Sequence, residues 1–138
     1  MEERVFGRRY RAVERIGAGG MADVFKGTDS VLGRTVAVKV LHQRLASDPT
    51  FAARFRQEAQ SAANLQSSNI VQIYDWGQEG DTYFIVMEYV NGTDLKSIIE
   101  RRGALAPKQV ADIGAQVCSA LTVAYAAQVN HRDIKPHN

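Results

Sequence analysis

Apolar and polar positions change their period three times along the chain. Residues 10–16 mix apolar and charged side chains in near alternation, and residues 23–28 and 35–41 are rich in valine and other strand formers, with Gly27, Asp29 and Gly33 as punctuation. Three antiparallel strands joined by short turns are the economical reading. Ser47-Asp48-Pro49 then opens a helix, a capping residue followed by proline, and Phe51, Phe55, Ala59, Ala62 and Ala63 recur at helical spacing as far as Leu65. Polar residues 66–69 break that stripe. Residues 70–74 and 83–89 predict two more strands around a turn at 77–81.

Beyond Val90 the period becomes helical. Asn91-Gly92-Thr93 reads as a linker and cap, residues 94–102 as a short helix closed by Gly103, and Pro107 as the start of a long helix with Val110, Ile113, Val117 and Leu121 along one face. The expected fold class is therefore α+β. Residues 1–90 form a five-stranded antiparallel sheet with one helix, and residues 91–138 hold two helices and a polar terminal loop. No internal repeat or low-complexity segment interrupts this order.

Composition narrows the classes. With 138 residues, 45% of them hydrophobic and three prolines, the chain can bury one core, or two small lobes sharing a seam. Its 17 basic and 15 acidic residues are well mixed, so no field large enough to steer nucleic acid or an anionic membrane is expected. Cys118 stands alone in an apolar stretch and reads as a buried, inert thiol in a reducing compartment. His42, His131 and His137 are too scattered for a zinc cluster. No hydrophobic segment follows Met1, and the apolar region 110–129 is interrupted by Asp112, Gln116 and Gln128, so a soluble, cytoplasmic chain without a membrane segment is expected.

Three stretches carry chemistry. Gly17-Ala18-Gly19-Gly20-Met21-Ala22 lets a loop backbone pass close to a phosphate chain with its amide groups free. The run after it, Val24-Phe25-Lys26-Gly27, alternates like a strand, which argues against a Rossmann turn, and no Gly-Lys-Ser/Thr follows, which excludes the P-loop. Val36-Ala37-Val38-Lys39 sets one lysine at the end of a strand, Val36 and Val38 facing away from Ala37 and Lys39; alone, it reads equally as a surface lysine on an edge. Glu58, between Phe55 and Ala59, offers a partner, since two charges near a core face are costly apart and sensible together. Last comes His131-Arg132-Asp133-Ile134-Lys135-Pro136-His137-Asn138, which puts a carboxylate base, a cation and a neutral oxygen ligand in one turn, or, by itself, is a solvated terminus.

Together with Val86-Met87-Glu88-Tyr89-Val90, these pieces stand in the order of the eukaryotic-like Ser/Thr protein kinases, and the chain resembles the bacterial members of that family over nearly its whole length. The resemblance implies a kinase N-lobe, a hinge, and the first helices of a C-lobe. It implies that ATP is held by Ile16, Gly17, Gly19, Gly20, Val24 and Ala37, with Met87 as gatekeeper, backbone groups of Glu88 and Val90 on the adenine edge, and Asp94 near the ribose. Lys39, paired to Glu58, would hold the α- and β-phosphates; Asp133 would take the substrate proton; Lys135 would face the γ-phosphate; Asn138 would ligate Mg2+. Lys135, two places after Asp133, is similar to the Ser/Thr class, and Arg132 to kinases whose activation loop is held by a phosphate.

The chain departs from the family at Ala22, where a third glycine is usual, at Ser67-Ser68, where His-Pro is usual, and at Gln128 and Asn130. Neither Asp-Phe-Gly nor Ala-Pro-Glu follows Asn138. The resemblance thus implies a catalytic domain cut short after its catalytic loop, with weak Mg2+ binding and no kinase-like rate alone; the alternatives are a non-catalytic nucleotide-binding or dimerisation module, or a scaffold without ligand. An aliphatic side chain contributes roughly 1.5 to 3 kcal/mol when buried, so a wet face at Val110, Ile113, Val117 and Leu121 forfeits on the order of 6 to 12 kcal/mol. Self-association through that face is the expected remedy, the alternative being a helix end at Tyr125, Gln128 and Asn130 that tolerates water.

Overall fold

The structure, a computed structural model, describes residues 3–131 and 134–138. The elements run β1 (Arg4–Phe6), β2 (Tyr10–Ala18), β3 (Ala22–Asp29), β4 (Arg34–Leu41), α1 (Gln43–Ala46), α2 (Pro49–Ala63), β5 (Ile73–Glu79), β6 (Thr82–Glu88), α3 (Leu95–Arg102) and α4 (Pro107–Ala126). They divide into two units: one holds the residues up to Asn64 together with Val71–Val90, the other Leu65–Ile70 and Asn91–Asn138.

In the first unit the strands make one six-stranded antiparallel sheet in the order β1-β2-β3-β4-β6-β5. Sequence period predicts five. The sixth, β1, has only three residues, too few to show alternation, and is folded back onto β2 by positive φ at Gly7 and Arg8 so that Phe6 meets Tyr10. The four-residue α1 is likewise below the length at which a helical stripe can be seen.

Alternation along β4 sorts its side chains onto two faces. Val36, Val38 and Val40 join Phe6, Tyr10, Ala12, Phe25, Phe84 and Val86 in one cluster, and Val36, Val38 and Val86 are wholly buried. Leu41 points the other way, into a second cluster with Ala22, Ile85, Phe55 and Ala59, the last two being the buried positions of α2. Asp48 starts α2, its carboxylate accepting from the Thr50 amide at 2.9 Å, and Pro49 occupies the first turn. β5 continues through Gly77, where the sequence suggests a turn; a Cβ there would come within 2.3 Å of the Phe84 ring, so this glycine admits an aromatic and does not reverse the chain. The reversal falls at Gly80, with φ +56°.

Two polar anchors sit at the sheet's end. Asp29 is fully buried, accepts two bonds of 2.8 Å from the Arg9 guanidinium, and takes the Val31 and Leu32 amides at 3.0 and 3.2 Å. Arg9 first, with those amides, holds its carboxyl far below the usual range despite burial. Tyr10 donates to Asp75 at 2.6 Å, and burial, reinforced by that bond, pushes its phenol up to about 12.

In the second unit, Asp94 caps α3 and Gly103 ends it at φ +77°. The Ala106 amide donates to the Gln109 side chain at the start of α4. Of the predicted stripe on α4, Ile113 and Val117 are half-buried, while Val110 is 55% and Leu121 38% exposed. Cys118 is exposed, contrary to the expectation of a buried thiol: one residue past Val117 it lies about 100° round the helix, off the stripe. Among the described residues no helix is long and apolar enough to cross a membrane.

Candidate functional site

The first unit assembles its site from strand register. Ala37 lies opposite Met87 and Lys26, Lys39 opposite Ile85 and Val24, and Val24 opposite Gly17. Period-two geometry then sets Gly17, Val24, Ala37, Lys39 and Met87 on one face of the sheet. Ala37 is buried, Val24 and Met87 half-buried. Ile16 stands in the irregular step between Arg15 and Gly17 and is 45% exposed.

On that face the Lys39 Nζ meets Glu58 Oε1 at 2.6 Å. Phe55 and Ala59 bury the inner side of α2 and so fix the rotation that aims Glu58 at the strand. The side chains remain 27% and 55% exposed, and a pair so open to water contributes only about 0–1 kcal/mol to stability. What the pair achieves is placement, a cation held at a set position and still accessible from solvent.

At the end of β6 the Glu88 amide donates to Gln72 O at 2.8 Å, and its carboxylate accepts from the Gln72 amide at 3.1 Å. Val90, just beyond β6, is 60% exposed. The glycine-rich loop between β2 and β3 is closed by a bond from the Gly19 amide to Ala22 O at 3.0 Å. It is further tied to the residues after β4. The His42 amide donates to Met21 O at 2.8 Å, the His42 ring Nε2 lies 2.7 Å from Gly19 O, and Arg44 donates to Gly20 O at 3.0 Å. Sequence reasoning considers His42 only as a metal ligand and passes over Arg44; backbone carbonyls as partners leave no trace in residue type.

In the second unit, both carboxylate oxygens of Asp94 are engaged by Ser97, from its amide at 3.0 Å and its hydroxyl at 2.7 Å. Those bonds, with a smaller contribution from His137, hold the Asp94 carboxyl below its ordinary value. The Lys96 amide donates to Pro136 O at 2.9 Å, tying the terminal loop to the first turn of α3, and the Asn138 amide closes a turn onto Lys135 O at 3.0 Å. Lys135 and Asn138 are exposed. Asp133 lies outside the described residues, as does Arg132. Among the described residues no group of three or more His, Cys, Asp or Glu side chains could hold a metal ion.

The sequence pattern of the protein kinase domain matches residues 10–138. The chain is 51% identical over 130 residues to the serine/threonine-protein kinase PrkC of Bacillus subtilis (strain 168), covering 94% of this chain and 20% of that protein. It is 41% identical over 129 residues to the serine/threonine-protein kinase PknE of Mycobacterium tuberculosis (strain ATCC 25618 / H37Rv), covering 94% and 23%. The crystal structure of the Mycobacterium tuberculosis PknI kinase domain is similar to the fold with a TM-score of 0.81 at 31% identity, over 97% of this chain and 55% of that one. That of Rad53 1-466 in complex with AMP-PNP is similar with a TM-score of 0.80 at 26% identity, over 94% and 34%. The chain spans about a fifth of the length of these named kinases and about half of the PknI chain.

Proposed function

Since the chain belongs to the protein kinase domain family, we propose that it forms the nucleotide-binding lobe and catalytic loop of a serine/threonine kinase that moves the γ-phosphoryl group of ATP to a protein hydroxyl. The observation that carries this reading is the 2.6 Å contact between Lys39 and Glu58 on a face shared with Val24, Ala37 and Met87. An exposed ion pair is a poor stabiliser and a good holder of anionic oxygens.

In this reading Ile16, Val24 and Ala37 pack the adenine and Met87 bounds it. The Glu88 amide already serves Gln72, so its carbonyl and the Val90 amide are the groups offered to the adenine edge. Asp94, whose carboxylate already serves Ser97, is left with its remaining lone pairs for a ribose hydroxyl. Gly17, Gly19 and Gly20 bring amides to the phosphates, and Lys39 binds the α- and β-phosphate oxygens while Glu58 fixes its position.

Asp133 accepts the proton of the substrate hydroxyl as its oxygen bonds to the γ-phosphorus and the bond to the β-phosphate oxygen breaks, and Lys135 offsets charge on the moving group. Bound Mg2+ supplies positive charge beside the phosphate oxygens. Asn138 would hold it, and one neutral amide oxygen fits a hard dication only when phosphate oxygens complete the shell. An ATP-dependent role places the chain in the cytoplasm.

A calorimetric titration of the chain with ATP, with and without Mg2+, tests this. Magnesium-dependent binding is expected, weakened at least about tenfold by Lys39→Met, some 1.4 kcal/mol. Binding indifferent to Mg2+ would favour a non-catalytic nucleotide-binding module, and no binding would contradict both. Exposure of Val110 and Leu121 favours a second role for α4, self-association of the chain along that face.

A further inference from the structure

The glycine-rich loop is held from one side, and the atoms held are carbonyl oxygens. Gly19 O lies 2.7 Å from His42 Nε2, Gly20 O accepts from Arg44 Nη2 at 3.0 Å, and Met21 O accepts from the His42 amide at 2.8 Å. A carbonyl oxygen only accepts, so Nε2 carries the hydrogen, and Asp23 Oδ2, 3.7 Å from Nδ1, faces the ring's other nitrogen.

The consequence follows from peptide geometry. The peptide bonds here are trans and planar, so each C=O and the next N–H point in opposite directions. Turning the oxygens of Gly19 and Gly20 toward the corner after β4 turns the amides of Gly20 and Met21 away from it. An untethered loop could present the same oxygens, with their partial negative charge, to a phosphate chain. Among the described residues a Cβ at Gly20 would meet nothing within 4 Å, so none of them requires a bare residue there.

We propose that His42 and Arg44 are positioning residues for ATP, a clamp that fixes the glycine-rich loop with its carbonyls averted and its Gly20 and Met21 amides presented to phosphate oxygens. The clamp rests on the nucleotide reading above, and it acts on the phosphates alone. Among the described residues, no hydrogen bond or ion pair joins either side chain to the adenine-facing residues Val24, Ala37 or Met87.

Titration of the 138-residue chain with magnesium-ATP and, separately, with adenosine separates the two ideas. The His42→Ala/Arg44→Ala double variant is expected to bind ATP about tenfold more weakly, a 1.4 kcal/mol effect, and adenosine as before. His42→Gln, whose amide can donate to the same carbonyl, is expected to retain most of the ATP affinity. In the unmodified chain the Gly20 and Met21 amide resonances are expected to shift with ATP and to stay in place with adenosine. Unchanged ATP affinity in the double variant, equal losses for ATP and adenosine, or amide resonances indifferent to ATP would each overturn the clamp alone. A wild-type chain that binds neither ligand overturns the nucleotide reading and the clamp with it.

Discussion

The valines of β4 and the aliphatic stripe of α4 are equally regular in sequence, yet Val36 and Val38 are wholly buried whereas Val110 and Leu121 face water. Among the described residues, Leu65 and Ala124 are the buried hydrophobics of the second unit; the rest of the core lies in the first. Periodicity says which face of an element is apolar and nothing about whether a partner exists to cover it. The sheet finds cover within its own unit because β1, β2, β3 and β6 deliver Phe6, Tyr10, Phe25 and Phe84 to one side of β4 while α2 delivers Phe55 to the other.

The contrast can be broken by substitution. Phe55→Ala, which empties the contact between α2 and the sheet, is expected to cost about 3–5 kcal/mol in urea denaturation. Tyr10→Phe keeps the ring and removes the bond to a charged acceptor, an expected loss of roughly 1.5 kcal/mol near neutral pH. That loss has a pH signature. The folded phenol is raised from 10.0 to about 12, so its contribution is whole below about pH 10 and disappears as pH climbs toward 12. Denaturation midpoints of Tyr10→Phe and the parent should therefore converge over that interval, and a constant gap would show that burial and the bond to Asp75 do not hold the proton on Tyr10. Val110→Gln on α4 should change stability by no more than about 0.5 kcal/mol, while weakening any concentration-dependent light scattering. A cost comparable with that of Phe55→Ala would mean that the stripe on α4 is covered after all, and a chain that scatters as a monomer at every concentration would remove self-association.

What the sequence discloses depends on length and on partner type. The pairing of Lys39 with Glu58 is legible because strand alternation and a helical stripe each assign a face, and both charges fall on the side those faces share. β1 and α1 are not legible because three or four residues cannot express a period. Gly77 reads as a turn glycine, and only the Phe84 ring beside it shows that space was the requirement. Asp29, taken as punctuation between strands, is a buried carboxylate satisfied by Arg9 from another turn twenty residues away. His42 and Arg44 are the hardest case, since they act on main-chain oxygens that every residue possesses.

The account turns on Lys39 being useful because Glu58 places it. Nucleotide affinity measured by calorimetry for Lys39→Met, Glu58→Gln and the double variant tests that most directly. The prediction is strong non-additivity: Glu58→Gln weakens ATP binding in the parent and changes almost nothing once Lys39 is gone. If Glu58→Gln weakens binding as much in the Lys39→Met background as in the parent, the two residues act separately and the claim that Glu58 places Lys39 for ATP is contradicted.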